Sequence, residues 1–245
     1  MNSSDSLYNK SKYYNELINN FITNNKDIQL ISKIQESIKI IDQTLNQFNL
    51  NEISLSFNGG KDCLVMLILF ISRLYEFKDK FQLIKLNKIQ CILINYEDQF
   101  PELIQFIEET CHFYNLKLIQ YNNELKLGFK NYLIDYPNIK SIIIGTRLTD
   151  PFGGNLKNCQ KTDNNWPYFI RIHPILTWNY QEIWDFLLKF QINYCKLYDY
   201  GYTSIGGINS TIPNPNLKII ENGDKIKYLP AYELKDGSKE RDGRL

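Results

Sequence analysis

Short apolar segments alternate with helix-length segments through the middle of the chain, and this alternation constrains the fold more than any other feature. The strand-like segments span 53–57, 89–95, 117–121 and 141–145. The sequence predicts helices between them, from about residue 63, from Pro101 and from about residue 125. Strands that alternate with helices and carry unbroken apolar runs are typical of parallel sheets covered on both faces. We therefore expect an α/β protein with a doubly wound, mostly parallel sheet.

The segments on either side of this core have different patterns. Apolar residues recur every three or four positions over 28–48, which predicts an amphipathic helix. Beyond residue 146 the alternation stops, and the sequence predicts a loop over 147–166, an extended segment over 169–176 and a helix over 180–190. The glycine- and proline-rich stretch after Cys195 is predicted to be irregular. Long irregular segments of compact proteins usually serve binding, so we expect ligand contacts in the last third.

The balance of charges excludes several classes of partner. The 245 residues include 28 Lys and Arg against 27 Asp and Glu, so no basic surplus is available to bind nucleic acid or an anionic bilayer. The longest apolar run, 63–71, is far shorter than the roughly 20 residues that cross a membrane. The N-terminal residues show no pattern of an export or import signal. We expect a cytoplasmic protein that binds small molecules, without nucleic-acid or membrane partners.

The few cysteines and histidines speak against disulfide, iron–sulfur and zinc sites. No two cysteines form a C-x-x-C pair, and the chain has only two histidines. No G-x-S-x-G occurs, so a serine triad is not indicated. A phosphate nucleophile, with a second pKa of about 6, is mostly dianionic at neutral pH and needs no protein base. A site poor in histidine therefore favours phosphoryl or nucleotidyl transfer.

The turn 58–62, between a predicted strand and a predicted helix, is a candidate phosphate site. Gly59 and Gly60 allow the backbone to approach a ligand, and successive N–H groups at a helix N-terminus attract anions. Lys61 adds a cation, although the segment matches neither G-x-x-x-x-G-K-[ST] nor G-x-G-x-x-G. The alternative is a tight glycine turn in which Asp62 only caps the helix.

A second candidate follows the last predicted strand of the core, at the same edge of the sheet. Arg147 and Asp150 together suit an anionic substrate and its Mg²⁺. The chain contains few arginines and many lysines, so each arginine is a candidate for bidentate recognition. The alternative is an ordinary loop salt bridge, with Asp150 before Pro151 as a turn former.

A third candidate combines an acid, an aromatic residue and an arginine in the segment 163–171. Trp166 could stack on a flat heterocycle, Asp163 could accept from ring N–H groups, and Arg171 could bind a phosphate or a ring oxygen. The alternative for Trp166 is a simple core position.

Together these motifs resemble the eukaryotic FAD synthases, which are FMN adenylyltransferases of the phosphoadenylyl-sulfate reductase-like group. The matching blocks are SFNGGKDC (56–63), FPELIQF (100–106), GTRLTDPF (145–152), TDNNWPYFIR (162–171), YCKLYDYGYTSI (194–205), TIPNP (211–215), PAYEL (230–234) and ERDGR (240–244). Agreement of several blocks in order is far more specific than any single short motif. The resemblance implies a Rossmann-like fold of the adenine nucleotide alpha hydrolase type. It also implies one domain, with N-terminal helices (1–50), a nucleotide-binding core (51–146) and flavin-side loops with the C-terminal segment (147–245).

The resemblance also implies a reaction and its participants. ATP and FMN would be the substrates, FAD and pyrophosphate the products, and Mg²⁺ the metal. The rival readings are a phosphoadenylyl-sulfate reductase or another ATP pyrophosphatase on the same fold, and a non-catalytic nucleotide or flavin binder.

Residue roles follow from the matching blocks. The resemblance implies that the turn handles the ATP phosphates through Asn58, Gly59, Gly60, Lys61 and Asp62. Asp150 would act at the reacting centre and hold the metal, while Arg241 and Arg244 would close over the phosphates. The flavin side would be formed by Asp163, Trp166 and Arg171. We expect the catalytic residues to be Asn58, Asp62, Asp150 and Arg241, and the remaining residues, with Arg147, to bind the substrates.

Overall fold

A six-stranded sheet forms the centre of the protein, whose computed structural model describes residues 6–95, 97–163, 165–221 and 225–245. Its strands are β1 (Ile53–Ser56), β2 (Ile89–Ile94), β3 (Leu116–Tyr121), β4 (Ser141–Ile144), β5 (Cys159–Lys161) and β6 (Ile170–Ile172). They lie in the order β3-β2-β1-β4-β6-β5. Neighbouring strands are parallel except β5, which pairs antiparallel with β6.

Helices cover both faces of this sheet. They are α1 (Leu7–Asn24), α2 (Ile28–Gln47), α3 (Lys61–Leu74), α4 (Pro101–Phe113), α5 (Leu125–Asp135) and α6 (Tyr180–Lys189). The consecutive residues Ile142 and Ile143 belong to different apolar cores, because alternate residues of a strand face opposite sides. The core at Ile142 is the smaller one and contains Phe129 and Tyr132 of α5, whereas the other five helices contribute to the larger core. The predicted doubly wound α/β fold is confirmed.

Helix α3 is held rigidly in the larger core. All residues from 63 to 72 are buried, because α1, α2 and α6 pack against the helix. Each fully buried Leu or Ile contributes about 1.5–3 kcal/mol relative to an exposed one. Asp62 in the first turn and Arg73 in the last have the signs that the helix dipole favours. The N-terminus of α3 therefore has a fixed position at the edge of the sheet.

The order of the strands reverses between β1 and β4. Strands β2 and β3 lie on one side of β1, and β4 and β6 lie on the other. The pairing of Ser56 with Ile144 places the carboxyl ends of both strands at the same level. Ligands of doubly wound sheets bind at such a switch point. The loops that begin at Phe57 and Gly145 are therefore neighbours at the ligand-binding edge.

Several predictions for the last third were wrong in detail. The predicted loop over 147–166 contains strand β5, whose three residues are too few to show a period. The predicted extended segment 169–176 is a strand only over Ile170–Ile172 and then turns. The stretch after Cys195, predicted to be irregular, contains several short 3-10 helices and the two strands of a hairpin, β7 (Lys218–Glu221) and β8 (Lys225–Tyr228).

Candidate active site

A cleft of about 310 Å³ lies at the switch point between β1 and β4. Residues from the ends of both strands, from the first turn of α3 and from the C-terminal segment line it. Seven of them were predicted from the sequence: Asn58, Gly60, Lys61, Asp62, Asp150, Arg241 and Arg244. Ser204 and Tyr198 line the cleft as well. Segments that are far apart in the sequence therefore converge on one site.

The turn between β1 and α3 depends on glycine at position 59. Gly59 has φ +75°, and a Cβ atom there would lie 2.7 Å from Ile107 Cγ1 and 2.9 Å from Leu103 Cδ1 of α4. Any other residue would be strained and would also collide with α4. Gly59 therefore lets the turn lie close against α4 while Gly60 begins the helix as its N-cap.

The first two N–H groups of this helix start already have partners. The Gly60 N–H donates to Asn58 Oδ1 over 3.0 Å, and the Lys61 N–H donates to the Tyr198 hydroxyl over 2.9 Å. Burial raises the pKa of Tyr198 well above its usual value, so its hydroxyl stays protonated. The turn predicted to bind phosphate is thus preformed, and two of its backbone donors are engaged within the protein.

The end of β4 packs tightly against the first turn of α3. A Cβ atom on Gly145 would lie 3.0 Å from the backbone nitrogen of Cys63. Cys63 lines the cleft, but burial raises the pKa of its thiol to about 12. The thiol is therefore protonated at neutral pH and is no nucleophile.

Arg147 lies at the centre of a buried cluster of charges. Its side chain is 1% exposed, with Nε 2.8 Å from Asp62 Oδ1 and Nη2 2.7 Å from Glu240 Oε2. Nη2 also lies 3.3 Å from Asp150 Oδ1, and the Arg147 backbone N–H donates to Asp150 Oδ2 over 2.8 Å. One guanidinium therefore ties the loops after β1 and β4 to the C-terminal segment.

Lys61 belongs to the same cluster. Its side chain is 2% exposed, and its ammonium lies 3.1 Å from Asp62 Oδ2 and pairs with Glu240. The ammonium is also 5.3 Å from the centre of the Tyr180 ring. The lysine predicted as an extra cation for phosphate is thus bound to two carboxylates, because the segment that carries Glu240 folds back over the helix start.

The two cations face three carboxylates, and the pKa values of Asp62 and Asp150 respond to this arrangement in opposite directions. Burial works to raise the pKa of Asp62, but Lys61 and Arg147 together bring that pKa below its usual value. Burial raises the pKa of Asp150, and the charges of Asp62 and Glu240 act in the same direction against the opposing effect of Arg147. Of Asp62 and Asp150, Asp150 is therefore the residue whose negative charge is less well compensated.

The donor set fits a magnesium ion that is shared with a substrate. Among the residues that the structure describes, no group of three or more His, Cys, Asp or Glu side chains could hold a metal by itself. Mg²⁺ usually binds through one or two carboxylates together with water and substrate phosphates, so such a group is not required. Asp150, which lines the cleft and has an undercompensated charge, is a suitable ligand of this kind.

The residues predicted for the flavin side lie outside the cleft. Arg171 Nη2 donates to Asp163 Oδ2 over 3.1 Å, so the acid and the arginine form a pair beside β6. Trp166 is half-buried and packs on the smaller core, 6.3 Å from Phe129 between ring centres. Trp166 therefore packs against the core, as the alternative interpretation of this residue predicted. The three residues do lie close to one another, on the segment from β5 to β6.

The cleft also depends on residues that the sequence analysis missed. Glu240 provides a carboxylate to both buried cations, and Tyr198 accepts the first helical N–H. Both residues lie inside the quoted blocks 194–205 and 240–244. Their presence in these blocks was a signal that they are functional. Spacing could not reveal their partners, Lys61 and Arg147, because these lie far away in the sequence.

Comparison with known proteins adds independent evidence. The model of the phosphoadenosine phosphosulfate reductase domain family matches residues 52–137 and 126–213. A probable FAD synthase of Schizosaccharomyces pombe is 42% identical over 220 residues, covering 89% of this chain and 81% of the relative. The chain belongs to the FAD synthase family. A flavin adenine dinucleotide synthase of Saccharomyces cerevisiae is 37% identical over 87% of this chain and 77% of its own length.

Other members of the FAD synthase family are longer than this chain. A probable FAD synthase of Caenorhabditis briggsae is 40% identical over 220 residues, and the match spans 89% of this chain but 41% of the relative.

Solved structures of the FAD synthase family superpose over nearly the whole chain. Candida glabrata FMN adenylyltransferase in complex with FMN and the ATP analogue AMPCPP matches with a TM-score of 0.89 at 32% identity, covering 97% of this chain and 99% of that one. The same enzyme in complex with FAD and inorganic pyrophosphate matches with a TM-score of 0.90 at 32% identity, covering 98% and 97%. The resemblance inferred from the motifs is confirmed.

Proposed function

We propose that this chain transfers AMP from ATP to FMN, giving FAD and pyrophosphate. The observation that carries the proposal is the convergence of the glycine turn, Asp150 and Arg241 on one cleft at the switch point. A related enzyme of the same fold, that of Candida glabrata, has been captured with FMN and an ATP analogue, and with FAD and pyrophosphate.

The reaction that suits this site is a direct in-line displacement. An oxygen of the FMN phosphate attacks the α-phosphorus of ATP and forms the new P–O bond, while the bond to the bridging oxygen breaks and pyrophosphate leaves. The FMN phosphate is largely dianionic at neutral pH and needs no general base. Neither histidine of the chain lines the cleft, in agreement with this chemistry.

The task of the protein is then to bring two polyanions together. We assign the ATP phosphates to the turn 58–62 and to the N-terminus of α3, with Arg241 and Arg244 closing over them. Arg147 contributes indirectly, because its buried guanidinium orients the carboxylates of Asp62 and Asp150.

Magnesium would be held by Asp150. A bound Mg²⁺ would neutralise phosphate charge as the pyrophosphate leaves. Asp150 has both oxygens near Arg147, which fixes the orientation of its carboxylate toward the cleft edge.

The flavin is assigned to the segment that carries Asp163, Trp166 and Arg171. The pairing of Arg171 with Asp163 holds the carboxylate ready for ring N–H groups, and Trp166 presents an aromatic surface beside it. The isoalloxazine would thus lie along β6, which is the second neighbour of β1 in the sheet.

We also propose a cytosolic location. All five cysteines are free and four are buried, which is usual in a reducing compartment. None of the described helices combines the length and the apolar character needed to cross a membrane.

A single assay separates this function from its rivals. Purified protein is incubated with FMN, Mg²⁺ and ATP labelled on either the α- or the γ-phosphorus, and the products are resolved by chromatography. The proposal requires α-label in FAD and γ-label in pyrophosphate. Pyrophosphate without FAD would indicate another ATP pyrophosphatase, and bound but unchanged substrates would indicate a non-catalytic binder.

The stereochemistry of the reaction tests the direct displacement. ATP with a chiral thiophosphate at the α-position should give a product with inverted configuration, because one in-line step inverts the phosphorus. Retention would require a covalent enzyme intermediate and would overturn the mechanism.

A reductase is disfavoured on independent grounds, since the cysteine of the cleft, Cys63, is a buried protonated thiol.

A further inference from the structure

The C-terminal strap, residues 239–245, is fastened to the segment 201–216 by backbone contacts. The Ile212 N–H donates to the Gly243 carbonyl over 2.9 Å, and the Leu245 N–H donates to the Ser210 carbonyl over 3.0 Å. Thr211 and Arg244 form an antiparallel bridge between these bonds. The strap is therefore docked through this isolated bridge, and its residues Glu240, Arg241 and Arg244 line the cleft.

One buried side chain secures the beginning of this strap. Asn214 is 0% exposed and donates from Nδ2 to the Lys239 carbonyl and to Thr203 Oγ1, each over 2.8 Å. The Thr203 hydroxyl in turn donates to the Glu240 carbonyl over 2.6 Å. Two successive carbonyls of the strap thus accept from one buried pair, in which every side-chain donor proton is used.

The carbonyls of Lys239 and Glu240, which Asn214 and Thr203 bind, lie next to the functional residues of the strap. They flank the residue whose carboxylate pairs with Lys61 and Arg147, and they directly precede Arg241. A rotation or shift of this peptide would move Glu240 and both arginines together. Neither Asn214 nor Thr203 lines the cleft, so any effect of theirs on a reaction there is indirect, and the strap is the segment that both side chains bind.

We propose that Asn214, acting with Thr203, is a positioning residue for AMP transfer. It fixes the peptide 239–240 so that Glu240 locks the buried cations and Arg241 and Arg244 face the phosphates. This inference rests on the proposed function. Misplacement of a catalytic group by about 1 Å can cost a hundredfold in rate, so the loss of the pair should appear mainly in kcat.

The first test is independent of activity. Hydrogen–deuterium exchange is followed in a strap peptide for the wild type, Asn214→Ala, Thr203→Val and a control, Asn46→Ala, whose side chain is exposed on α2. We expect strap amides such as those of Arg244 and Leu245 to exchange at least tenfold faster in the first two variants, with exchange in β1 and β4 unchanged. Unchanged exchange of the strap would overturn the proposal.

The second test measures FAD formation. Asn214→Ala should lower kcat by about thirtyfold while the KM for FMN, whose flavin ring is assigned away from the strap, changes less than about twofold. Thr203→Val, which keeps the shape of the side chain, should act in the same direction and serves if Asn214→Ala folds poorly. Thr203→Ser retains the hydroxyl and should restore most of the rate.

A double-mutant cycle distinguishes positioning from general stability. In an Arg241→Ala background, adding Asn214→Ala should reduce kcat less than about threefold, because the main group that it positions is gone. Losses that multiply fully in the double variant would overturn the proposal. A wild type that forms no FAD would instead refute the proposed function, and the exchange experiment would still decide whether Asn214 fastens the strap.

Discussion

The Glu240 carboxylate lies 2.7 Å from the Arg147 guanidinium, although the two residues are 93 positions apart in the sequence. Both are buried, and Glu240 also pairs with Lys61. Because the carboxylate joins the C-terminal strap to the loops of the sheet edge, its charge supports both the stability and the shape of the cleft.

Replacing Glu240 by Gln should therefore destabilise the fold. We expect a loss of about 2 kcal/mol in the free energy of unfolding, the size of a buried hydrogen bond to a charged group, since Asp62 and Asp150 still face the cations. Denaturant unfolding measures it. The matched control is Glu233→Gln, whose exposed pair with Lys235 should contribute less than about 0.5 kcal/mol. Equal losses in the two variants would contradict the assigned role of Glu240.

The conformation of the glycine turn gives a second prediction. Gly59→Ala should lower the free energy of unfolding by about 2 kcal/mol, because a left-handed backbone disfavours a Cβ and this one would also press on Leu103 and Ile107. Gly154→Ala is the control, since a Cβ there has no atom within 4 Å. If thermal unfolding shows both variants to be equally stable, the turn does not require glycine at position 59.

Asp150 gives a third prediction, in which activity and stability separate. Asp150→Asn should lower kcat by about a hundredfold or more and raise the Mg²⁺ concentration needed for half-maximal rate. Stability should not fall, because the raised pKa of Asp150 shows that its charge is unfavourable in the folded state, and Asn keeps an acceptor for the Arg147 N–H. Steady-state kinetics with a magnesium titration measures the effect.

The control for this variant is Asp185→Asn, an exposed position on α6. It should change neither turnover nor the magnesium requirement. Near-native turnover in Asp150→Asn would remove Asp150 from the mechanism.

His173 gives a prediction for pH. Burial lowers the pKa of His173 below its ordinary value of 6.5, and in the neutral ring Nδ1–H donates to the Lys157 carbonyl over 2.9 Å. Below pH 6.5 the unfolded chain therefore binds a proton that the folded chain does not, so stability is lost as the pH falls through that value.

Replacing His173 by Gln should weaken this dependence. The fall in unfolding free energy between about pH 7.5 and pH 5.5 should be smaller in His173→Gln than in the wild type. His112→Gln, at an exposed position of α4, should leave the dependence as it is. A slope that is identical in all three proteins would show that His173 is not the group responsible.

The sheet was predictable from the sequence because its signals are local. β1, β2, β3 and β4 each coincide with a predicted apolar segment, and the predicted and observed bounds differ by one residue at most. β5 was missed because three residues at a sheet edge carry no period. Because the strands before them were predictable, the loops after β1 and β4 could also be predicted to lie at the same edge of the sheet.

The buried charge cluster could not be predicted in the same way. Lys61 and Glu240 are 179 positions apart, and nothing in the spacing of the chain indicates that they meet. Without the partner, a lysine beside a glycine pair suggests only a phosphate ligand. The site residues were therefore identified by their chemical type, whereas their partners required the fold.

The engaged donors at the start of α3 have a consequence for ligand choice. An anion that takes the N–H of Gly60 or Lys61 must displace Asn58 Oδ1 or the Tyr198 hydroxyl from it. Multiply charged phosphate oxygens are stronger acceptors than an amide or a phenol, whereas chloride gains little from the exchange. The turn thus discriminates by competition: an anion gains from binding there only if it accepts hydrogen bonds more strongly than an amide oxygen or a phenol does.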